Sequence, residues 1–306
     1  MKKNYLLVLV MLITFIEAKA QQDPHYTQYM YNMNVINPAY AGSKENLTFG
    51  LLNRRQWVGI EDAPTTYSAS GSMPVGKNVG AGLSIINDKI GPIEETNIYA
   101  DLSYTLQLNG DHRLAFGVKG GVTLHKIDFL TIYKSLPDIN DGVFAKSNPS
   151  TSKMNIGTGL FYYTNKYYLA FSIPNMLKTK YLDYDGKEYG SEVSHYFLTG
   201  GYVFDINPNV KFKPFFMVKS SFGVKPSFDL NANFLFHEKF EAGASYRFED
   251  SFGAMVNYAI TPELRIGYAY DHIVSDLNIS TPSSHEIIIL FDLNFPKRVS
   301  RSSRYF

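Results

Sequence analysis

Ser284-His-Glu-Ile-Ile-Ile-Leu-Phe-Asp-Leu-Asn-Phe295 alternates residue by residue: Ile287, Ile289, Phe291, Leu293 and Phe295 point one way, Glu286, Asp292 and Asn294 the other. Successive side chains of a strand face opposite sides, so this stretch presents one face suited to lipid and one suited to water. The pattern recurs upstream. Phe252, Ala254, Val256, Tyr258 and Ile260 share a face, and Leu264, Ile266, Tyr268 and Tyr270 share another, with Asn257, Arg265 and Asp271 opposite. Leu114, Phe116, Val118, Val122 and Leu124 alternate with Arg113, Lys119 and Thr123, while Ile98, Leu102, Tyr104, Leu106 and Leu108 alternate with Asn97, Asp101, Thr105 and Gln107. A soluble β-sandwich alternates too, so the period alone does not choose between a secreted all-β domain and a membrane barrel.

Four further features favour the barrel. Lys2-Lys3, an apolar run from Tyr5 to Ile16 and Ala18-Lys19-Ala20 read as a signal peptide over residues 1–20, which makes Gln21 the first mature residue. No later stretch is long and apolar enough for a spanning helix, so a membrane form must be a closed sheet. The 23 Tyr and 22 Phe, against a single Trp at Trp57, supply interfacial girdles; they gather near segment ends such as Tyr162, Tyr167, Phe215, Phe234 and Phe248. Cysteine is absent, so no disulfide supports this exported chain.

The fourth feature is the rhythm of connectors. About fourteen segments fall near 47–58, 65–74, 79–88, 96–109, 112–125, 153–163, 167–173, 195–205, 210–219, 227–236, 240–248, 251–260, 264–272 and 284–295. Every second connector is tight: 75–78, 109–111, 164–166, 206–209, 237–239 and 261–263, rich in the residues that close hairpins. The intervening ones are mostly longer, above all 126–152 and 174–194, although one near Glu249-Asp250 is short. Short periplasmic turns, long outer loops and an even strand number are the outer-membrane pattern.

The chain therefore divides into a signal peptide (1–20), an N-terminal segment (21–46), a transmembrane antiparallel β-barrel (47–295) and a basic periplasmic tail (296–306). Without the signal, 26 basic and 27 acidic residues remain, and no basic stripe marks a nucleic-acid binder. In the tail, Lys297, Arg298, Arg301 and Arg304 meet no acid; a periplasmic contact surface and a frayed terminus are equally good readings.

The N-terminal segment, Asp23-Pro-His-Tyr-Thr-Gln-Tyr-Met-Tyr-Asn-Met-Asn-Val-Ile-Asn-Pro-Ala-Tyr-Ala-Gly42, is too aromatic for an idle leader. Tyr26, Tyr29, Met30 and Met33 fall at helical spacing, which predicts a short amphipathic helix, and Asn37-Pro38 predicts a bend into the first strand. This segment either fills the lumen or lies on the periplasmic rim, with Tyr29, Tyr31 and Tyr40 buried. Its candidates for plugging or partner binding are Tyr26, Tyr29, Tyr31, Asn37, Pro38 and Tyr40, joined by Arg55 at the end of the first strand and Arg304 in the tail. The charges expected to face the lumen are Asp101, Arg113, Lys119, Glu241, Arg247, Glu249, Arg265 and Asp271; their balance of signs favours pairing over ion selectivity.

The run Asp23-Pro24, Gln28-Tyr29-Met30 and Asn37-Pro-Ala-Tyr-Ala-Gly42, followed by Arg55-Gln-Trp-Val-Gly59 and Ala63-Pro-Thr65, resembles the PorP/SprF family of outer-membrane proteins attached to type IX secretion. Gly243-Ala-Ser-Tyr-Arg247, Leu264-Arg-Ile-Gly-Tyr-Ala-Tyr-Asp271 and Arg304-Tyr-Phe306 extend the resemblance over the whole mature chain. It implies an integral outer-membrane barrel that serves protein secretion, cell-surface anchoring or gliding motility. Its partners would be the C-terminal signal domain of a secreted adhesin, or the translocon and its periplasmic ring.

Chemistry is poorly represented. The seven histidines are scattered singly, no Gly-x-Ser-x-Gly elbow occurs, and Ser284 and His285 face opposite sides of their strand. Neither a catalytic site nor a cofactor or metal site is expected; Asp183-Tyr-Asp-Gly186 with Glu188 lacks a full calcium-loop spacing and reads as a solvated turn, with weak loop calcium as the alternative. The rival to a docking protein is a passive channel for small solutes, since about fourteen strands leave room for one.

Overall fold

A computed structural model describes residues 25–128, 150–177, 180–184, 187–191, 194–222, 224–275 and 283–293. The expected signal peptide and the basic tail, with Arg304, lie outside the described residues. Seventeen strands occur among the described residues: β1 (Leu47–Arg55), β2 (Thr65–Pro74), β3 (Val79–Ile90), β4 (Ile93–Gln107), β5 (Arg113–Ile127), β6 (Ser150–Tyr163), β7 (Tyr167–Ile173), β8 (Lys180–Tyr184), β9 (Lys187–Ser191), β10 (His195–Tyr202), β11 (Phe204–Asn207), β12 (Val210–Ser221), β13 (Val224–Phe236), β14 (Phe240–Arg247), β15 (Ser251–Ala259), β16 (Leu264–Ile273) and β17 (Ser283–Leu293).

Each barrel strand pairs antiparallel with its neighbours, β10 and β11 form one stave interrupted at Val203, and β1 pairs with β17 to close the ring. The product is a closed barrel of fourteen staves, the architecture expected from the alternation. Closure leaves no strand edge unsatisfied, which is the condition for crossing hydrocarbon.

Alternation dictates the two surfaces. In β4, Ile98, Leu102 and Tyr104 are exposed on the outer wall while Asn97, Tyr99, Asp101 and Ser103 are buried inside. At the tight-turn end, eight outward rings from Tyr162 through Tyr167, Tyr202, Phe204, Phe212, Phe234 and Phe236 to Phe240 follow one another at centroid spacings of 4.3–6.5 Å. They form an interfacial girdle over six of the fourteen staves.

The long-loop end departs from expectation in two places. The segments expected to end near 88 and to begin near 96 instead run on to Ile90 and Ile93, leaving only Gly91-Pro92 between them, with Gly91 at φ +55°. Similarly, β12 and β13 leave a two-residue gap. These strand ends are polar, with Lys89 opposite Glu94 and Asp88 opposite Glu95, and above the apolar band both faces of a hairpin can be hydrated, so periodicity stops signalling the strand before the backbone pairing ends. The long connector 174–194 also contains a hairpin, β8–β9, in which Asp183 stands opposite Glu188; Asp185 and Gly186 lie outside the described residues.

Candidate functional site

Residues 25–43 run inside the barrel and are nearly all buried. They form a 3-10 turn at Tyr29–Tyr31, a single turn of helix, α1 (Met33–Ile36), and a second 3-10 turn at Pro38–Tyr40. The short amphipathic helix expected from Tyr26, Tyr29, Met30 and Met33 is present only as these separate turns. The reason is that no side of α1 meets solvent: Met33, Asn34, Val35 and Ile36 are all buried, so there is no polar face to orient. Asn37 ends α1, and its side-chain oxygen accepts from the Ala39 N–H, with Pro38 fixing the first position of the next turn.

The wall is shaped to receive this backbone. A Cβ added to Gly117 would lie 2.1 Å from the Ala39 nitrogen, one at Gly80 2.1 Å from the Ala41 oxygen, and one at Gly159 2.0 Å from Asn37 Oδ1. No other residue fits at such an approach. Wall side chains also satisfy the segment's carbonyls. Ser103 Oγ donates to the Ala41 oxygen at 2.6 Å, Ser172 Oγ to Ile36 at 2.9 Å, and Lys119 Nζ to Val35 at 3.2 Å.

Its start is held by charge. Glu286 on β17 accepts the backbone N–H groups of Thr27 and Gln28 at 2.9 and 2.8 Å, one on each carboxylate oxygen. Arg54 on β1 reaches Glu286 at 3.2 Å and Asp271 on β16 at 2.8 Å, and Thr27 Oγ1 donates to the same Asp271 oxygen at 2.6 Å. All of these side chains are essentially buried. Further pairs complete the lining: Lys119–Asp101 at 3.3 Å, Arg247–Asp229 at 2.6 Å, and Lys213–Glu241 at 2.8 Å, where Tyr31 Oη donates to Glu241. Burial raises the Tyr29 phenol well above its ordinary pKa, and burial followed by the Glu241 charge does the same to Tyr31. Burial, then Lys219, Arg247 and Arg54, holds the His25 imidazole well below 6.5.

Of the residues singled out from the sequence, Tyr26, Tyr29, Asn37, Pro38 and Tyr40 come together in the lumen, and Tyr40 meets Phe161 edge-on at 5.3 Å. Tyr31 is less enclosed and borders a cavity of about 440 Å³ at the tight-turn end, together with Lys44, Lys213, Arg265 and Asp292. Arg55 does not join them; it points outward and is exposed. Glu249, expected inside, stands instead on the β14–β15 turn at φ +60°, exposed and paired with Lys225, because the strand ends two residues before it. Arg113 lies near the tight-turn mouth, 3.5 Å from Glu45. Arg54, Lys213 and Asp229, which no motif singles out, are buried in the lumen as well. The parity of Phe49 and Leu51 on the lipid face already sends Arg54 inward.

The sequence matches the model of the type IX secretion system membrane protein family PorP/SprF over residues 18–291. The chain belongs to that family. This PorP/SprF protein is an integral outer-membrane barrel, its family and fold are those of a non-enzymatic barrel, and membership ties it to translocon partners in general. No curated protein matches it. Among solved structures it is similar to the CymD monoaromatic hydrocarbon channel (13% identity, 87% of this chain and 93% of that one, TM-score 0.50). Omp33 of Acinetobacter baumannii is also similar (12% identity, 82% and 100%, TM-score 0.47). So is a Pseudomonas aeruginosa FadL homologue (13% identity, 90% and 96%, TM-score 0.44).

Proposed function

We propose that this PorP/SprF barrel is a plugged, non-enzymatic docking protein of type IX secretion. It holds a secreted adhesin-like substrate by its C-terminal signal domain at the cell surface, or links the translocon to its periplasmic ring. The observation that carries the reading is the lumen filled by residues 25–43 and locked by Glu286, Asp271 and Arg54. A filled lumen makes a poor conduit but a rigid post, and rigid scaffolds present binding loops well. Residues 21–46 act as the plug in this reading, and the outer loops with the vestibules at either mouth are left for partners.

Affinity purification of the full-length protein from native membranes tests it. Recovery of a secreted protein through its C-terminal domain, or of ring components, is the expected result; recovery of neither, together with large steady conductance in planar bilayers, would sink it. The second reading, a passive channel, draws on the likeness to a hydrocarbon channel, which is a likeness of fold alone.

A further inference from the structure

The outer wall at the seam between β1 and β17 carries a feature that the lumen does not use. Read from the tight-turn end, the lipid-facing residues of β1 are Leu47, Phe49, Leu51, Asn53 and Arg55, and those of β17 are Leu293, Phe291, Ile289, Ile287 and His285. Arg55 and His285 are direct cross-strand partners at the top of these rows. Arg55 is exposed and makes no ion pair among the described residues. His285 is set by its neighbours: Nδ1 lies 2.6 Å from the Tyr268 hydroxyl, and the ring meets Tyr270 edge-on at 5.4 Å. The outward faces of β16, β17, β1 and β2 carry no acidic residue.

A lipid-facing cation is tolerated only near the membrane interface, so Arg55 sets the height of the headgroup region on this wall. With the Tyr268 hydroxyl donating to Nδ1, the His285 Nε2–H becomes a donor, and the Arg55 guanidinium offers a fork that matches phosphate. Below this pair, past Asn53, the wall turns apolar through Ile287, Leu51 and Ile289. A phosphate joined to hydrocarbon matches both features. We propose that Arg55 and His285, framed by Tyr268 and Tyr270, bind the phosphorylated headgroup of an outer-leaflet lipid, whose acyl chains lie along the β1–β17 seam.

The test uses the full-length protein in nanodiscs of phosphatidylcholine with or without lipid A, with bound lipid counted by native mass spectrometry. Wild type should retain lipid A, and Arg55→Gln combined with His285→Gln should lower retention at least about tenfold. Tyr268→Phe, which keeps the ring but frees the imidazole, should give a smaller loss in the same direction. Arg113→Gln, at the opposite end of the barrel, should retain lipid as wild type does. Equal retention by wild type and the double variant would overturn the proposal, as would equal loss in Arg113→Gln. Displacement of lipid A by inorganic phosphate alone would mark the site as one for free anions and overturn the lipid assignment.

Discussion

Arg54 Nη2 lies 2.8 Å from Asp271 Oδ2, although β17 separates their two strands. The guanidinium spans that strand across the barrel's inner surface and collects Glu286 on the way. One side chain therefore balances two buried carboxylates, each of which also holds residue 27.

Arg54→Ala should strand both carboxylates. Breaking a buried pair by removing one partner costs about 3–5 kcal/mol. Thermal unfolding in detergent micelles should show that loss, and Arg54→Ala combined with Asp271→Asn and Glu286→Gln should recover part of it. A triple variant no more stable than the single one would contradict the pairing.

Gly117→Val and Gly159→Val should expel the inner segment without stopping insertion, because the added atoms meet its backbone or the Asn37 side chain at about 2 Å. The outward Gly120, whose Cβ would meet nothing within 4 Å, is the control, and Gly120→Ala should be silent. Bilayer conductance and proteolysis near Tyr40 report the difference; if the Gly117 and Gly159 variants leak no more than Gly120→Ala, the segment does not close the lumen.

The two faces of β17 should respond oppositely to charge. Ile289→Arg places a cation on the lipid face and should cost about 2–4 kcal/mol near the bilayer midplane, falling toward the interfaces. Asp292→Asn loses only a half-exposed contact with Lys44 at 3.6 Å and should insert normally. Matching membrane yields for the two variants would refute the assignment of faces.

Acid should loosen the start of the inner segment through His25. Its imidazole is held well below 6.5 by burial and by Lys219, Arg247 and Arg54, whereas a released His25 titrates near 6.5. The released state then binds the proton more readily, so the docked state loses stability as pH falls below about 6.5 and gains nothing above it. Conductance or labelling of Tyr26→Cys should rise between about pH 7.5 and about pH 5 in protein with His25 and less so in His25→Gln. An identical response in both would remove His25 from the account.

Much of this architecture could be read from period two. Ile287, Ile289, Phe291 and Leu293 face out and Glu286 faces in because lipid and water leave no other assignment for a closed sheet. The interior was less legible. Asp101, Lys119, Glu241 and Asp271 could be placed inside one at a time, yet their partners lie on other strands, and cross-strand register is a property of the whole sheet. Arg55 stands in the Arg-Gln-Trp run, yet Arg54, one residue earlier, joins the interior network. Helical spacing does not predict the local shape of residues 29–40 because all of them but Tyr31 are buried, where spacing carries no directional information.

Glu286 belongs to the last strand and Arg54 to the first, and these two strands meet only at the seam that completes the ring. During biogenesis, the residues that become the filling emerge before any wall exists, and the carboxylate that grips Thr27 and Gln28 arrives with the final strand. Sealing the cylinder and fastening its contents are accordingly one assembly event, and a chain that stalls before β17 pairs would leave both undone.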